Sequence, residues 1–127
     1  MSAPLPQPLA YPFAAPPAPG QAIGLAPGLR WIRMPLPFAL DHINLWLLDE
    51  EDGATLVDCG YADAPTRAQW ETQLATTLTG RPLRRIIVTH CHPDHVGNAA
   101  WLSARFGAPV VMTHAEFLTA HALCGGH

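Results

Sequence analysis

The segment Leu83 to His95 narrows the possible folds more than any other part of the chain. Leu83-Arg84-Arg85-Ile86-Ile87-Val88-Thr89 has the apolar, β-branched character of a buried strand. It runs directly into His90-Cys91-His92-Pro93-Asp94-His95, which gathers three imidazoles and one carboxylate in six residues. A helix is expected soon after, over Asn98 to Phe106, with Gly107 as its C-terminal signal. Shuffling this composition would produce such a cluster roughly once in a thousand trials, so the cluster is read as a metal site.

The spacing has a direct physical meaning. In extended backbone the side chains at i and i+2 leave on the same side, so His90 and His92 can grip one ion. Pro93 disfavours a helical conformation for the residue before it and keeps His92 extended. Asp94 and His95 follow the bend and point elsewhere, toward a second ion. Imidazole and carboxylate form a borderline-soft ligand set suited to zinc, with iron or manganese as alternatives. Alternation turns Cys91 away from both neighbours, toward a buried position.

The rest of the chain reads as α/β layers. Arg30–Met34 is a first strand, stopped by Pro35 and Pro37. His42–Leu48 is apolar on nearly every position, as in a strand covered on both faces. The polar turn Asp49–Gly53 joins it to Ala54–Asp58, making a hairpin. A helix starts at Asp63 or Ala64 with Pro65 in its first turn, carries Trp70, Leu74 and Leu78 on one stripe, and stops at Gly80 and Pro82. Pro109–Met112 reads as a strand and Ala115–Leu123 as a helix. This alternation argues an α/β layered domain over residues 30–127. Eight of the fourteen prolines fall before residue 30. Proline withholds the backbone donors that helices and sheets need, so residues 1–29 read as a disordered Pro/Ala-rich arm.

Composition removes several function classes. The net charge is −3, and the seven basic residues, all Arg, do not cluster beyond Arg84-Arg85. The basic stripe of a nucleic-acid-binding protein is therefore not expected. No apolar run is long enough for a membrane span, and without a basic n-region followed by an uninterrupted apolar stretch a secretory signal is not expected. Three cysteines, Cys59, Cys91 and Cys124, form an odd set without a framework spacing, which points to a reducing cytoplasm. The expected partner is a small-molecule substrate, with neither nucleic acid nor membrane.

Thr89 to Gly97 resembles the signature motif of the metallo-β-lactamase superfamily, and of its glyoxalase II-like hydrolases in particular. Leu56-Val57-Asp58-Cys59-Gly60 is similar to that family's strand-ending Asp-x-Gly. The resemblance covers about residues 31–123. It implies the N-terminal half of a four-layer αββα sandwich. By that resemblance His90 and His92 bind the first metal, and Asp94 and His95 the second. Asp94 and His95 also help to orient the attacking hydroxide, and Asp58 fixes a ligand's orientation by hydrogen bonding. The implied cofactor is two zinc ions. The implied function is hydrolysis of an acyl, thioester or lactone substrate by a dinuclear-site hydroxide. Two alternatives stand beside it: an inactive metal-binding fragment, and a mononuclear-iron persulfide dioxygenase of the same fold. The family completes its site with a third His, a bridging Asp and a final His well downstream of the motif. No Asp follows Asp94 here, so the site is expected to be incomplete within these residues.

The remaining histidines and large side chains have simpler readings. His114 is a helix-start residue, His121 and His127 are bystanders, and His42 packs or bonds within a loop. Cys59 occupies the middle of Asp-x-Gly and packs. Trp46 and Trp70 belong to the core.

Overall fold

The hairpin strands set the frame. In the computed structural model, which describes residues 7–124, β2 (Leu29–Pro35) and β3 (His42–Glu50) pair antiparallel, with Trp31 opposite Trp46 and Ile32 opposite Leu45. Their side chains alternate with the pleat. Ile32, Met34, Ile43, Leu45 and Leu47 are buried, while Trp31, Arg33, Asn44 and Trp46 are half-exposed. β4 (Gly53–Val57) closes the meander. From there the chain must cross over to reach a parallel neighbour. α1 (Ala64–Gln73) carries it to β5 (Leu83–Ile87), parallel to β4. α2 (Pro93–Val96) and α3 (Ala99–Phe106) carry it to β6 (Val110–Val111), parallel to β5, and α4 (His114–Cys124) follows. With β1 (Ile23–Ala26) on the outer side of β2, the described residues form one six-stranded mixed sheet in sequential order. The α/β layering expected from the sequence is observed.

The core lies on one face of this sheet. Trp70 of α1, Leu78 just beyond it and Leu102 of α3 pack with Ile32, Leu45, Leu47, Leu56 and Ile86 in a single buried cluster. Trp70 also donates its indole N–H to the Cys59 carbonyl at 2.8 Å. The opposite face is different. By register Trp31, Trp46, Val57, Ile87 and Val111 form one row across five strands. None of these five is buried among the described residues. β3 was expected to be covered on both faces; its second face is half-open because the helices of the core cluster lie on the first.

Two further differences have local causes. The stretch expected to be a loose arm contains β1, whose Ile23 pairs with Trp31. It is tied down further by Gln73, which donates to the Gln21 carbonyl at 3.0 Å, and by Thr76, which bonds the Gly20 carbonyl. Phe13 stacks edge-on against Trp31. Residues 1–6 of that arm lie outside the described residues. The helix expected to run to Gly80 instead widens after Gln73 into a π-helical turn, Leu74–Leu78, closed by a Thr79 N–H to Leu74 carbonyl bond of 3.1 Å. The wider turn still buries Leu78, while Leu74 is only half-buried.

Candidate metal centre

Because β4 and β5 are parallel, both finish at the same end of the sheet, and their exits meet there. Asp58 follows β4 directly and is 4 % exposed. Its backbone sits at φ 63°, a left-handed conformation that Asp tolerates better than most side chains. The strain is held by surrounding bonds. The Asp58 N–H donates to Ile87 O at 2.8 Å, and the next residue, Cys59, donates its N–H to His95 O at 2.8 Å. In that conformation the carboxylate points at the exit of β5. Oδ1 accepts from the Thr89 N–H at 2.8 Å, and Oδ2 accepts from the Thr89 hydroxyl at 2.8 Å and from His95 Nδ1 at 2.9 Å.

The motif is seated on this anchor. His92 is extended (φ −61°, ψ 142°) with Pro93 as the first residue of α2, as the sequence predicts. His90 Nε2 and His92 Nδ1 lie 3.2 Å apart. Asp94 Oδ2 and His95 Nε2 lie 3.4 Å apart. The rings of His90 and His95 are 3.8 Å apart, centre to centre, so the two pairs adjoin. Gly97 lets α2 sit flush on the Asp-x-Gly turn. A Cβ there would fall 2.4 Å from Pro93 O and 2.9 Å from Gly60 O, so no larger residue fits. Asn98, fully buried, donates to the Tyr61 carbonyl at 2.7 Å and accepts from Arg67 Nε at 3.1 Å, fastening α1 to the same turn.

All four residues singled out as ligands, together with Asp58, thus converge at one end of the sheet. Two ligands on a tetrahedral zinc, each bonded at about 2.0–2.1 Å, stand about 3.3–3.4 Å apart. Both donor pairs match that edge length, and both are imidazole or carboxylate. The residues present therefore fit such an ion pair by pair. Among the described residues no group of three or more His, Cys, Asp or Glu is placed so as to hold one metal ion.

One contributor escaped the sequence reading. Glu116, in the first turn of α4, accepts the Cys91 N–H at 2.6 Å, gripping the peptide between His90 and His92. A hydrogen bond from the Cys91 thiol, then that backbone bond, with His90 and His92 nearby, holds the Glu116 carboxyl below its usual range. The side-chain bond to Glu116, followed by burial, raises the Cys91 thiol. Cys91 is half-buried, not enclosed as expected. Cys59 packs in the core, where burial and then the Asp58 charge raise its thiol. His42 pairs with Asp41 at 2.8 Å, and His121 bonds the Phe117 carbonyl within α4. His114 is exposed at the start of α4, and His127 lies outside the described residues. A cleft of about 480 Å³ opens between residues 15–19 and the Met34–Pro35 strand end, and no motif residue lines it. Ligand chemistry, and not concavity, marks the centre. No helix of the described residues is long and apolar enough to cross a membrane.

Comparison with known proteins bears on the fold and the family. A beta-lactamase domain protein from Burkholderia ambifaria is 47% identical with a TM-score of 0.82, and the match covers 91% of this chain and 37% of that one. A metallo-beta-lactamase family protein from Thermus thermophilus is 31% identical with a TM-score of 0.71, covering 81% and 34%. Among curated proteins, the hydroxyacylglutathione hydrolase of Albidiferax ferrireducens is 38% identical over 77 residues, 61% of this chain and 27% of the relative. An uncharacterized protein of Bacillus subtilis is 38% identical over 74 residues, 58% of this chain and 30% of the relative. The chain therefore spans less than a third of the length of these curated relatives. The family model described as the metallo-beta-lactamase superfamily matches residues 39–121, and the chain belongs to that superfamily.

Proposed function

We propose that this chain carries the front half of the site of a metal-dependent hydrolase acting on a small acyl, thioester or lactone substrate. His90 and His92 hold one cation, Asp94 and His95 hold the second, and Asp58 orients His95. The observation that carries this reading is the pair of donor–donor distances, 3.2 and 3.4 Å, side by side at the strand ends. When bound, the cations, most simply zinc, supply Lewis acidity and a water of lowered pKa. The chain's own residues do the rest. Asp58 accepts Nδ1–H of His95, which leaves Nε2 of that ring free for the ion. Asp94, next to it in the same turn, brings the negative charge that offsets the ion's own. Kinship with a hydroxyacylglutathione hydrolase supports a thioester as the first substrate to try. Three free cysteines support a reducing, cytoplasmic setting.

The test is a zinc titration of the full-length protein followed by hydrolysis assays on hydroxyacylglutathione and simple lactones. Metal-dependent turnover that disappears in His92→Ala is the expected result. Zinc uptake without hydrolysis of any of these substrates would favour a binding remnant. Iron retention with oxygen consumption would move the reading to the dioxygenase branch.

A further inference from the structure

An imidazole that ligates through one nitrogen must carry its proton on the other, and that proton needs an acceptor to keep it there. His95 has Asp58. Among the described residues His90 has no carboxylate of its own: its Nδ1 lies 2.8 Å from the hydroxyl of Thr89, the residue before it. That hydroxyl lies 2.8 Å from Asp58 Oδ2 and 3.1 Å from Oδ1. A hydroxyl has a single proton to give and lone pairs to receive with, whereas an ionised carboxylate only accepts. The Thr89 proton therefore goes to Asp58, and the Thr89 oxygen is left to accept Nδ1–H of His90. Thr89 also donates its backbone N–H to Oδ1 of the same carboxylate at 2.8 Å, which holds the hydroxyl in place. The outcome is a bare Nε2 lone pair on His90, aimed at His92 Nδ1.

We propose that Thr89 is a positioning residue that extends Asp58 to His90, so that one buried carboxylate sets the protonated nitrogen of an imidazole in each donor pair. The backbone alone does not call for a hydroxyl here, since Val has the same branched shape and suits the stretch just after β5 equally well. The inference rests on the cation-site reading for its purpose, but the hydrogen-bond relay can be observed without any metal.

Nitrogen-15 NMR of the metal-free full-length protein, at a pH where the histidines are neutral, reports which ring nitrogen bears each proton. The expected result is Nδ1–H on both His90 and His95 in the wild type. Thr89→Val should release His90 to a mixture of tautomers and leave His95 unchanged, and Thr89→Ser should restore the wild-type state. In a parallel zinc titration, Thr89→Val should weaken the His90–His92 site by about 10-fold and spare the other, with Thr89→Ser again restoring it. An Nε2–H His90 in the wild type would overturn the relay regardless of how the variants fold. So would a Thr89→Val protein whose His90 tautomer and zinc affinity match the wild type. A wild type with the expected tautomers that takes up no zinc would overturn the cation-site reading alone and leave the relay standing.

Discussion

At the end of the sheet where β3 turns into β4, Asp49 Oδ1 receives both Arg30 and Arg81, and Arg81 also donates to the carbonyls of Glu50 and Gly53 at 2.7 Å each. Cation faces anion, although Arg30 Nε is buried without a partner among the described residues, and the contacts join segments 19 to 32 residues apart in sequence. At the other end, where β4 and β5 finish, the first layer is just as well matched: Asp58 accepts from Thr89 and His95. The next layer is not. With Nδ1 of His90 and His95 protonated, as proposed above, the bare Nε2 of His95 looks at an Asp94 carboxylate oxygen across 3.4 Å, and the bare Nε2 of His90 faces Nδ1 of His92 across 3.2 Å. A polar cluster that balances itself is architecture. One left short of positive charge by its own internal bonding is arranged for something to enter.

This contrast can be broken in order of severity, using the full-length protein throughout. His92→Ala removes a donor outright, and zinc affinity at that pair should fall by more than about 100-fold, exceeding the usual effect of losing a ligand's hydrogen-bond partner. The metal-free melting temperature should hardly move, since His92 is exposed. Asp58→Asn should come next. Asn accepts a left-handed φ as readily as Asp, so the turn survives while the charge does not. A loss of about 10- to 100-fold in zinc affinity is expected in a titration, with a folded circular dichroism spectrum. Asp49→Ala attacks the opposite end. It should cost about 1 kcal/mol in a denaturant melt and leave zinc affinity untouched. A change in metal binding there would abolish the distinction drawn between the two clusters.

The smallest effect is expected from Glu116→Gln, read as a lower melting temperature than wild type at neutral pH. A carboxyl held below its ordinary range stabilises the fold above its unfolded value, and loses that contribution as pH falls through the depressed one. The gap between variant and wild type should therefore narrow on acidification. A gap that stays constant into the acid range would remove Glu116's charge from the account.

How much of this was legible follows from how local each signal is. The motif, Pro93's hold on His92, the hairpin and the crossover helix all rest on residues within a few positions of one another, and they were readable. β1 was not, because four residues of weak strand character sit among prolines, and only pairing with β2 organises them. The π-helical turn was missed for a similar reason: Leu74 and Leu78 keep an ordinary four-residue spacing, and the extra residue is accommodated by bonds to the Gly20–Gln21 backbone. Glu116 stands three residues after Thr113, the spacing of a helix capping box. Thr113 does bond the Glu116 N–H, but the carboxylate reaches instead to Cys91, 25 positions away. A local pattern concealed a long-range use.

The two donor pairs also differ in when they can exist. His90 and His92 are two residues apart, so their convergence needs only a short extended stretch. The orientation of His95 depends on Asp58, 37 residues earlier, and therefore on β4 and β5 having already paired. An unfolded chain thus keeps the two-residue spacing of His90 and His92, while Asp58 orients His95 directly, and His90 through Thr89, only in the native state. Zinc stabilises a protein only by the excess of its affinity for the folded form. The His90–His92 pair should add less to the melting temperature than its native affinity implies, and Asp94–His95 should add nearly its full share. On the proposed assignment, the first pair is the one that can meet the ion early, and the second waits for the strands to pair.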